Sequence, residues 1–307
     1  MKKNIIKVYF VLVVMTLAVL TANLGISYLL KASVPSRLWN KESGGLNDLR
    51  EVVIKINHLK INCPSELILG SSVSKEIDFG NSINLSYLGA AMIIQDEVVS
   101  LVEKSFTGCS RFSTKIFLEI LPPLYTKKSI ESFADKNNLK LSFLRSWSGV
   151  FAKSPVVALE LLVLKLRNYT PPEMTLSLLK WKFFRQSGAV RSDSAFSAFD
   201  KLYDLKNADF DPVEVSRLRS VISRLSKLTD NLVLYVPPQN QKLWQYSPAG
   251  SKRVETLLKE IEAATSIAII RADKESFDKD EFRDPLHLTT EGAIKLVSIL
   301  KIKSESD

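Results

Sequence analysis

Five short apolar runs recur along the chain, each cut off by glycine, proline or a polar turn, with helical stretches between them. This alternation limits the possible folds more than any other feature of the sequence. The runs lie near residues 66–70, 82–86, 114–120, 231–236 and 266–270. They are too short for core helices and read as strands. Apolar residues at helical spacing fill 46–60, 90–104, 154–168, 173–186, 212–228, 251–264 and 292–302, with Asp211-Pro212 a strong helix start. Strands that alternate with helices predict an α/β fold, a mostly parallel sheet covered on both faces.

The alternation is interrupted once. Between the third and fourth runs the chain is helical wherever it is patterned, and residues 124–210 form an insertion rich in Leu, Phe and Trp, with Trp147, Phe151, Trp181, Phe183 and Phe184 among them. Three readings stand open: a packed helical addition to the core, a cap over a site, or a surface that docks on a membrane or partner.

The amino terminus adds a second constraint. From Val8 to Leu30 no residue is charged, and these 23 residues are mostly Val, Leu, Ile, Phe, Ala and Met. As a helix they would extend about 34 Å, enough to cross the hydrocarbon core. A cleaved signal has a shorter apolar core and a small-x-small site, whereas Leu20-Thr21-Ala22 places a bulky residue where a small one is needed. The expectation is therefore an uncleaved signal anchor over 1–31, with a cleaved signal as the alternative. Lys2, Lys3 and Lys7 precede the run and place the amino terminus in the cytoplasm, so everything after Lys31 is exported. A juxtamembrane linker and helix over 32–60, a domain over 61–302 and a short tail over 303–307 complete the expected layout.

Composition then removes several classes. Two cysteines exclude a disulfide-dense scaffold and a four-cysteine zinc site, and two histidines, His58 and His287, exclude a three-histidine metal site. No metal or cofactor motif is present: there is no Walker loop, dinucleotide glycine fingerprint, Cys-x-x-Cys or Gly-x-Ser-x-Gly elbow. The net charge is +9, of which +6 lies after Lys7. That excess reads as solubility beside a membrane, or as attraction to anionic headgroups or an acidic polysaccharide. No basic run with interleaved aromatics suggests nucleic acid. Asn84-Leu-Ser and Asn168-Tyr-Thr fit the glycosylation sequon.

Sites in open parallel sheets form at the carboxyl ends of strands. There the sequence offers Gly70-Ser71-Ser72 after the first strand, Gly89 after the second and Pro122-Pro123 after the third. After the fifth comes a polar loop in which His287 follows Asp284 by three residues, just before a helix. A base for serine chemistry needs one imidazole nitrogen toward a hydroxyl and the other held by a carboxylate. Asp284 and His287 can supply that pair locally, and a serine of the first turn completes a set in the order Ser, Asp, His. The alternatives are an ordinary turn and ordinary loop hydrogen bonding. Gly89 would let its backbone N–H approach an oxyanion unobstructed.

This layout resembles the SGNH hydrolase superfamily, the GDSL esterases, and more narrowly its membrane-anchored members, such as the teichoic-acid D-alanylation and alginate O-acetylation proteins. The resemblance covers roughly 64–302. Gly70-Ser71-Ser72 matches the first block and makes Ser72 the implied nucleophile; Gly89, preceded by Asn84-Leu85-Ser86, matches the second; Asp284, His287 and the following Leu288 to Ala293 match the last. The third block, Gly-x-Asn-Asp, is not found, and Leu-Glu-Ile-Leu-Pro-Pro stands in its place. The resemblance implies a three-layer α/β/α, flavodoxin-like domain with strand order 2-1-3-4-5. It also implies catalytic Ser72, Asp284 and His287, an oxyanion hole from Ser72 and Gly89, and no cofactor. The implied function is an exported, membrane-anchored serine O-acyltransferase or esterase acting on a cell-envelope glycan or lipid-linked glycan. A multi-spanning membrane acyltransferase would be its acyl donor. The alternative is an inactive scaffold or glycan-binding relative in an envelope assembly. In the implied strand order, Cys63 and Cys109 precede neighbouring strands at their amino ends, an arrangement that permits a disulfide; two buried free thiols are the alternative.

Overall fold

The computed structural model describes residues 63–87, 92–106, 114–134, 206–240 and 246–305, with isolated positions elsewhere such as Cys109 and Tyr203. The chain separates into two compact units, Met1–Asn47 and Asp48–Asp307. Of the first, only Met15 is described, helical and exposed. The second is built on a five-stranded sheet with the order β2-β1-β3-β4-β5. The strands are β1 (Glu66–Leu69), β2 (Ser82–Asn84), β3 (Lys115–Glu119), β4 (Leu232–Val236) and β5 (Ile269–Arg271). Every pairing is parallel. The main helices are α1 (Met92–Ser105), α2 (Pro212–Leu228), α3 (Pro248–Thr265) and α4 (Thr290–Glu305).

Side chains alternate across a strand, so each strand feeds two faces. On one face Ile68, Phe117, Tyr235 and Ile270 form a cluster with Ala293, Leu296 and Leu300 of α4. Leu67, Leu69, Ile116, Leu118, Leu234 and Val236 point the other way and are equally buried. The steps from β2 to β3, β3 to β4 and β4 to β5 all run in one direction across the sheet. Right-handed crossovers therefore put α1, α2 and α3 on one common face, and α2 packs against both α1 and α3. The step from β1 to β2 runs the opposite way, and its 3₁₀ turn, Ser74–Glu76, contacts α4.

Several boundaries differ from those expected. The helix Pro212–Leu228 coincides, because Asp211 caps it by accepting from Val213 N and Glu214 N, with proline at the first helical position. Helix α3 begins at Pro248, not Ser251, because Ser247-Pro248 is the same kind of start, with Ser247 Oγ accepting from Gly250 N at 3.0 Å. At its other end Ser266 adopts the left-handed conformation as the helix cap, which moves β5 from 266–270 to Ile269–Arg271. Arg271 stays in the strand because its guanidinium bonds Glu255 and Asp273. Helix α4 runs on to Glu305, so the expected tail at 303–307 is largely helical.

Among the described residues no helix is long and apolar enough to cross a membrane. The apolar run 8–30 lies outside them except for Met15, as do His58, Gly89 and the helices expected at 154–168 and 173–186. The two ends of the insertion are described and close on one another above β3. Thr126 bridges Phe210, Lys127 N donates to Asp209 O at 2.9 Å, and Asp211 N donates to Tyr125 O at 2.8 Å.

Candidate active site

The turn after β1 is built around an unusually close approach. A Cβ on Gly70 would lie 2.7 Å from Glu119 Oε2 and 2.9 Å from Glu119 Cβ, so only glycine fits there. The chain then turns through Ser74 N to Ser71 O at 3.2 Å and Lys75 N to Ser72 O at 3.4 Å. Val73 and Ile77 are buried, which fixes the turn against the core. Ser71 Oγ faces inward and donates to Glu119 Oε1 at 2.5 Å. Ser72 faces the other way, with its Oγ 2.8 Å from His287 Nε2.

The loop carrying His287 is equally constrained. Phe282 bridges Leu288, Arg283 N donates to His287 O at 2.8 Å, and Thr289 N donates to Glu281 O at 2.8 Å. Within this narrow turn Asp284 Oδ1 accepts from Leu286 N at 2.9 Å and His287 N at 2.8 Å, while Oδ2 lies 2.7 Å from His287 Nδ1. Asn240 N, from the segment after β4, pins the turn by donating to Pro285 O at 3.2 Å. Burial alone would raise the Asp284 carboxyl. The hydrogen bond and charge of His287, with the two backbone N–H groups, outweigh it and hold Asp284 below the usual aspartate range. An ionised carboxylate only accepts, so Nδ1 carries the imidazole proton. When the ring is neutral, the Nε2 lone pair is then left facing the Ser72 hydroxyl. Tyr203, at the far end of the insertion, stands near this pair. Burial first, and then the Asp284 charge, push its hydroxyl up to about 12.

Ser72, Asp284 and His287, drawn from opposite ends of the sequence, are thus brought into one hydrogen-bonded line. Gly89 lies outside the described residues. Among the described residues the Ser72 N–H has no acceptor, which leaves it available to an oxyanion. Asn84 is not available: its amide nitrogen donates to Ser74 O at 2.8 Å and Ile77 O at 2.9 Å, and its oxygen accepts from Ser86 N at 2.8 Å. Those contacts hold the first turn onto β2. They also disagree with reading Asn84 as a glycan attachment point, because the amide is already engaged.

One residue of the site escaped the sequence reading. Glu119, in the place of the family's third block, is 1% exposed and sits directly beneath the Ser71–Ser74 turn. It accepts from Ser71 N at 3.2 Å, from Ser71 Oγ and from Ser74 Oγ, and Ser74 Oγ meets Tyr235 OH at 2.5 Å. The available signal was a carboxylate inside an otherwise apolar strand, Ile116-Phe117-Leu118-Glu119-Ile120. A buried carboxyl of that kind needs a dedicated set of partners.

The cysteines meet at the opposite end of the sheet. Cys63 and Cys109 form a disulfide with Cα atoms 5.5 Å apart. Among the described residues no cluster of His, Cys, Asp and Glu has the arrangement of a metal site. No protein-family model matches the chain, and no curated protein matches it.

Proposed function

We propose that the protein is a serine acyltransferase or esterase of the SGNH type, with Ser72 as nucleophile, His287 as base and Asp284 as its orienting carboxylate. The observation that carries this reading is the continuous line from Ser72 Oγ through His287 to Asp284, with contacts of 2.8 and 2.7 Å. In the reaction Ser72 Oγ attacks the carbonyl carbon of an acyl ester while its proton passes to His287 Nε2. The oxyanion is met by the Ser72 N–H and, by the resemblance, by Gly89. His287 returns the proton to the departing alcohol, leaving an acyl-serine. A sugar hydroxyl or a water then attacks that ester and gives its proton to His287; as the acyl group passes to it, the bond to Ser72 Oγ breaks and His287 returns the proton to that oxygen.

The finer architecture belongs to the same proposal: a three-layer, flavodoxin-like domain with a helical insertion, held on the exported side of a membrane by the amino-terminal segment. The disulfide favours an oxidising compartment. The positive charge favours an anionic envelope surface, and the substrate is an acylated or acyl-accepting envelope glycan. A multi-spanning membrane acyltransferase would supply the acyl group.

A second reading, an inactive glycan-binding or scaffold relative, is favoured by the engagement of the Asn84 amide with Ser74 O and Ile77 O, which keeps it from serving an oxyanion. A fluorophosphonate probe separates the two. The enzyme should form one adduct, on Ser72, and lose it in Ser72→Ala. An unlabelled, folded wild type would leave the scaffold reading standing.

A further inference from the structure

Glu119 straddles the candidate nucleophile. Its carboxyl holds the residue before Ser72 through both N–H and Oγ, and the residue two beyond it through Oγ. Val73 N donates to Ser71 Oγ at 3.2 Å, so the same clasp reaches the intervening backbone. Three residues surround the clasp: Gly70 of the turn, Tyr235 of β4, whose hydroxyl meets Ser74 Oγ, and Tyr125 of the 3₁₀ turn Pro122–Tyr125, whose hydroxyl feels the Glu119 charge. The Glu119 charge raises the hydroxyls of Tyr125 and Tyr235 further, beyond the effect of their burial. Burial likewise pushes the Glu119 carboxyl up, while the Ser71 and Ser74 hydrogen bonds and the His287 charge pull it back.

Among the described residues no cation forms an ion pair with Glu119, and a carboxyl removed from water without one is expensive to keep. An apolar residue would fill the same space at lower cost. What the carboxyl provides, and an apolar side chain would not, is a set of directional bonds that fix the Ser71–Ser74 turn. Because Ser71 Oγ is held below, Ser72 is the hydroxyl left to face His287.

We infer that Glu119 is a positioning residue for the proposed reaction. It touches neither substrate nor reacting atoms, and it sets the direction of Ser72 Oγ through Ser71 and Ser74. The inference rests on the assignment of Ser72 as nucleophile.

The test measures the rate of fluorophosphonate labelling on the full chain, resolved into the first-order constant kinact and the affinity constant KI. A misdirected nucleophile lowers kinact and leaves KI alone. Glu119→Ala should lose about 100-fold in kinact. Glu119→Gln keeps an acceptor for Ser71 N and Ser74 Oγ, while its amide nitrogen can donate to Ser71 Oγ, so it should recover most of that loss. Ser71→Ala and Ser74→Ala should each lose less, and either loss should be absorbed when combined with Glu119→Ala, because all act through one clasp. If Glu119→Ala does not fold, the two serine variants decide the matter. Folded variants with kinact within about twofold of wild type would overturn the inference. A loss confined to KI would overturn it as well. A wild type that takes no label at all would sink the nucleophile assignment and this inference together, whereas labelling that ignores Glu119, Ser71 and Ser74 sinks only the inference.

Discussion

Asp284 does two jobs with two oxygens: one closes the loop on its own backbone and the other holds the His287 ring. Asp284→Asn keeps the first and corrupts the second, since an amide nitrogen facing Nδ1 favours the tautomer with the proton on Nε2. Labelling of Ser72 should then fall about 10⁴-fold, a loss seen where the orienting carboxylate of a triad is amidated. The same residue makes a stability prediction. Its carboxyl is held below its unfolded value, so its contribution is full above about pH 4 and disappears as pH falls through the lower folded value. Urea midpoints of wild type and Asp284→Asn should therefore converge as pH falls below about 4. Glu119, raised by burial, changes stability with the opposite sign at higher pH, but it is common to both proteins and cancels in the difference. A gap that stays constant over this range would remove the assigned cause. The meeting of these residues was legible where contacts are local: Asp284 and His287 share one turn, and strand-end placement singled out Gly70-Ser71-Ser72. Glu119 was not legible, because its partners Ser71 and Ser74 come from the turn after β1 and only folding brings them to β3.

At the scale of elements, the junction between the His287 loop and α4 explains the glycine in Leu288 to Ala293. Thr289 caps α4, with its Oγ1 accepting from Gly292 N at 3.2 Å. Glu281 O, held by Thr289 N, lies where a Cβ on Gly292 would come within 2.3 Å of it. Gly292→Ala would gain up to about 1 kcal/mol of helix propensity. It must also displace a backbone carbonyl, an overpacking cost of about 1–3 kcal/mol, so the clash wins. The expected outcome is a lower urea midpoint together with slower Ser72 labelling, because the strand-like closure of Glu281 to Thr289 carries both Asp284 and His287. An unchanged midpoint would mean that the loop moves away without cost. Elements were readable to the extent that their ends carried chemical signals. Asp211-Pro212 sets the start of α2, and the equivalent Ser247-Pro248 starts α3 three residues before the apolar spacing begins. The end of α3 was less legible. Ser266 is one of the few non-glycine residues with positive φ, and nothing in its identity advertises a left-handed cap.

At the scale of the molecule, the sheet has two ends with different tasks. Ser72, Glu119 and the Asp284–His287 turn stand at the carboxyl ends of the strands. At the amino ends, Lys115 N donates to Ser65 O at 2.8 Å and Thr114 Oγ1 to Pro64 O at 2.7 Å, fastening β1 to β3 just beside the Cys63–Cys109 bond. Periodicity identified the strands, but their order is a property of the whole chain. The pairing of Cys63 with Cys109 depends on β1 and β3 being neighbours, and that follows from the order β2-β1-β3-β4-β5. The bond spans 46 residues of sequence. Closing a loop of that length in the unfolded chain is worth about 4 kcal/mol in the chain-entropy model, toward the upper end of what disulfides contribute. Reduction, or Cys63→Ser with Cys109→Ser, should therefore lower stability by up to that amount, read as a fall in the urea midpoint at an unchanged slope. Because the bond and Ser72 lie at opposite ends of β1, labelling of Ser72 under folding conditions should stay within about twofold of wild type. Non-reduced peptide mapping checks the pairing itself, and the two variant measurements check what it does. A bridge that is present but whose loss leaves the midpoint unmoved would show an unfolded state already compact between residues 63 and 109. A loss of labelling in the folded variant would show instead that the two ends of the sheet are coupled.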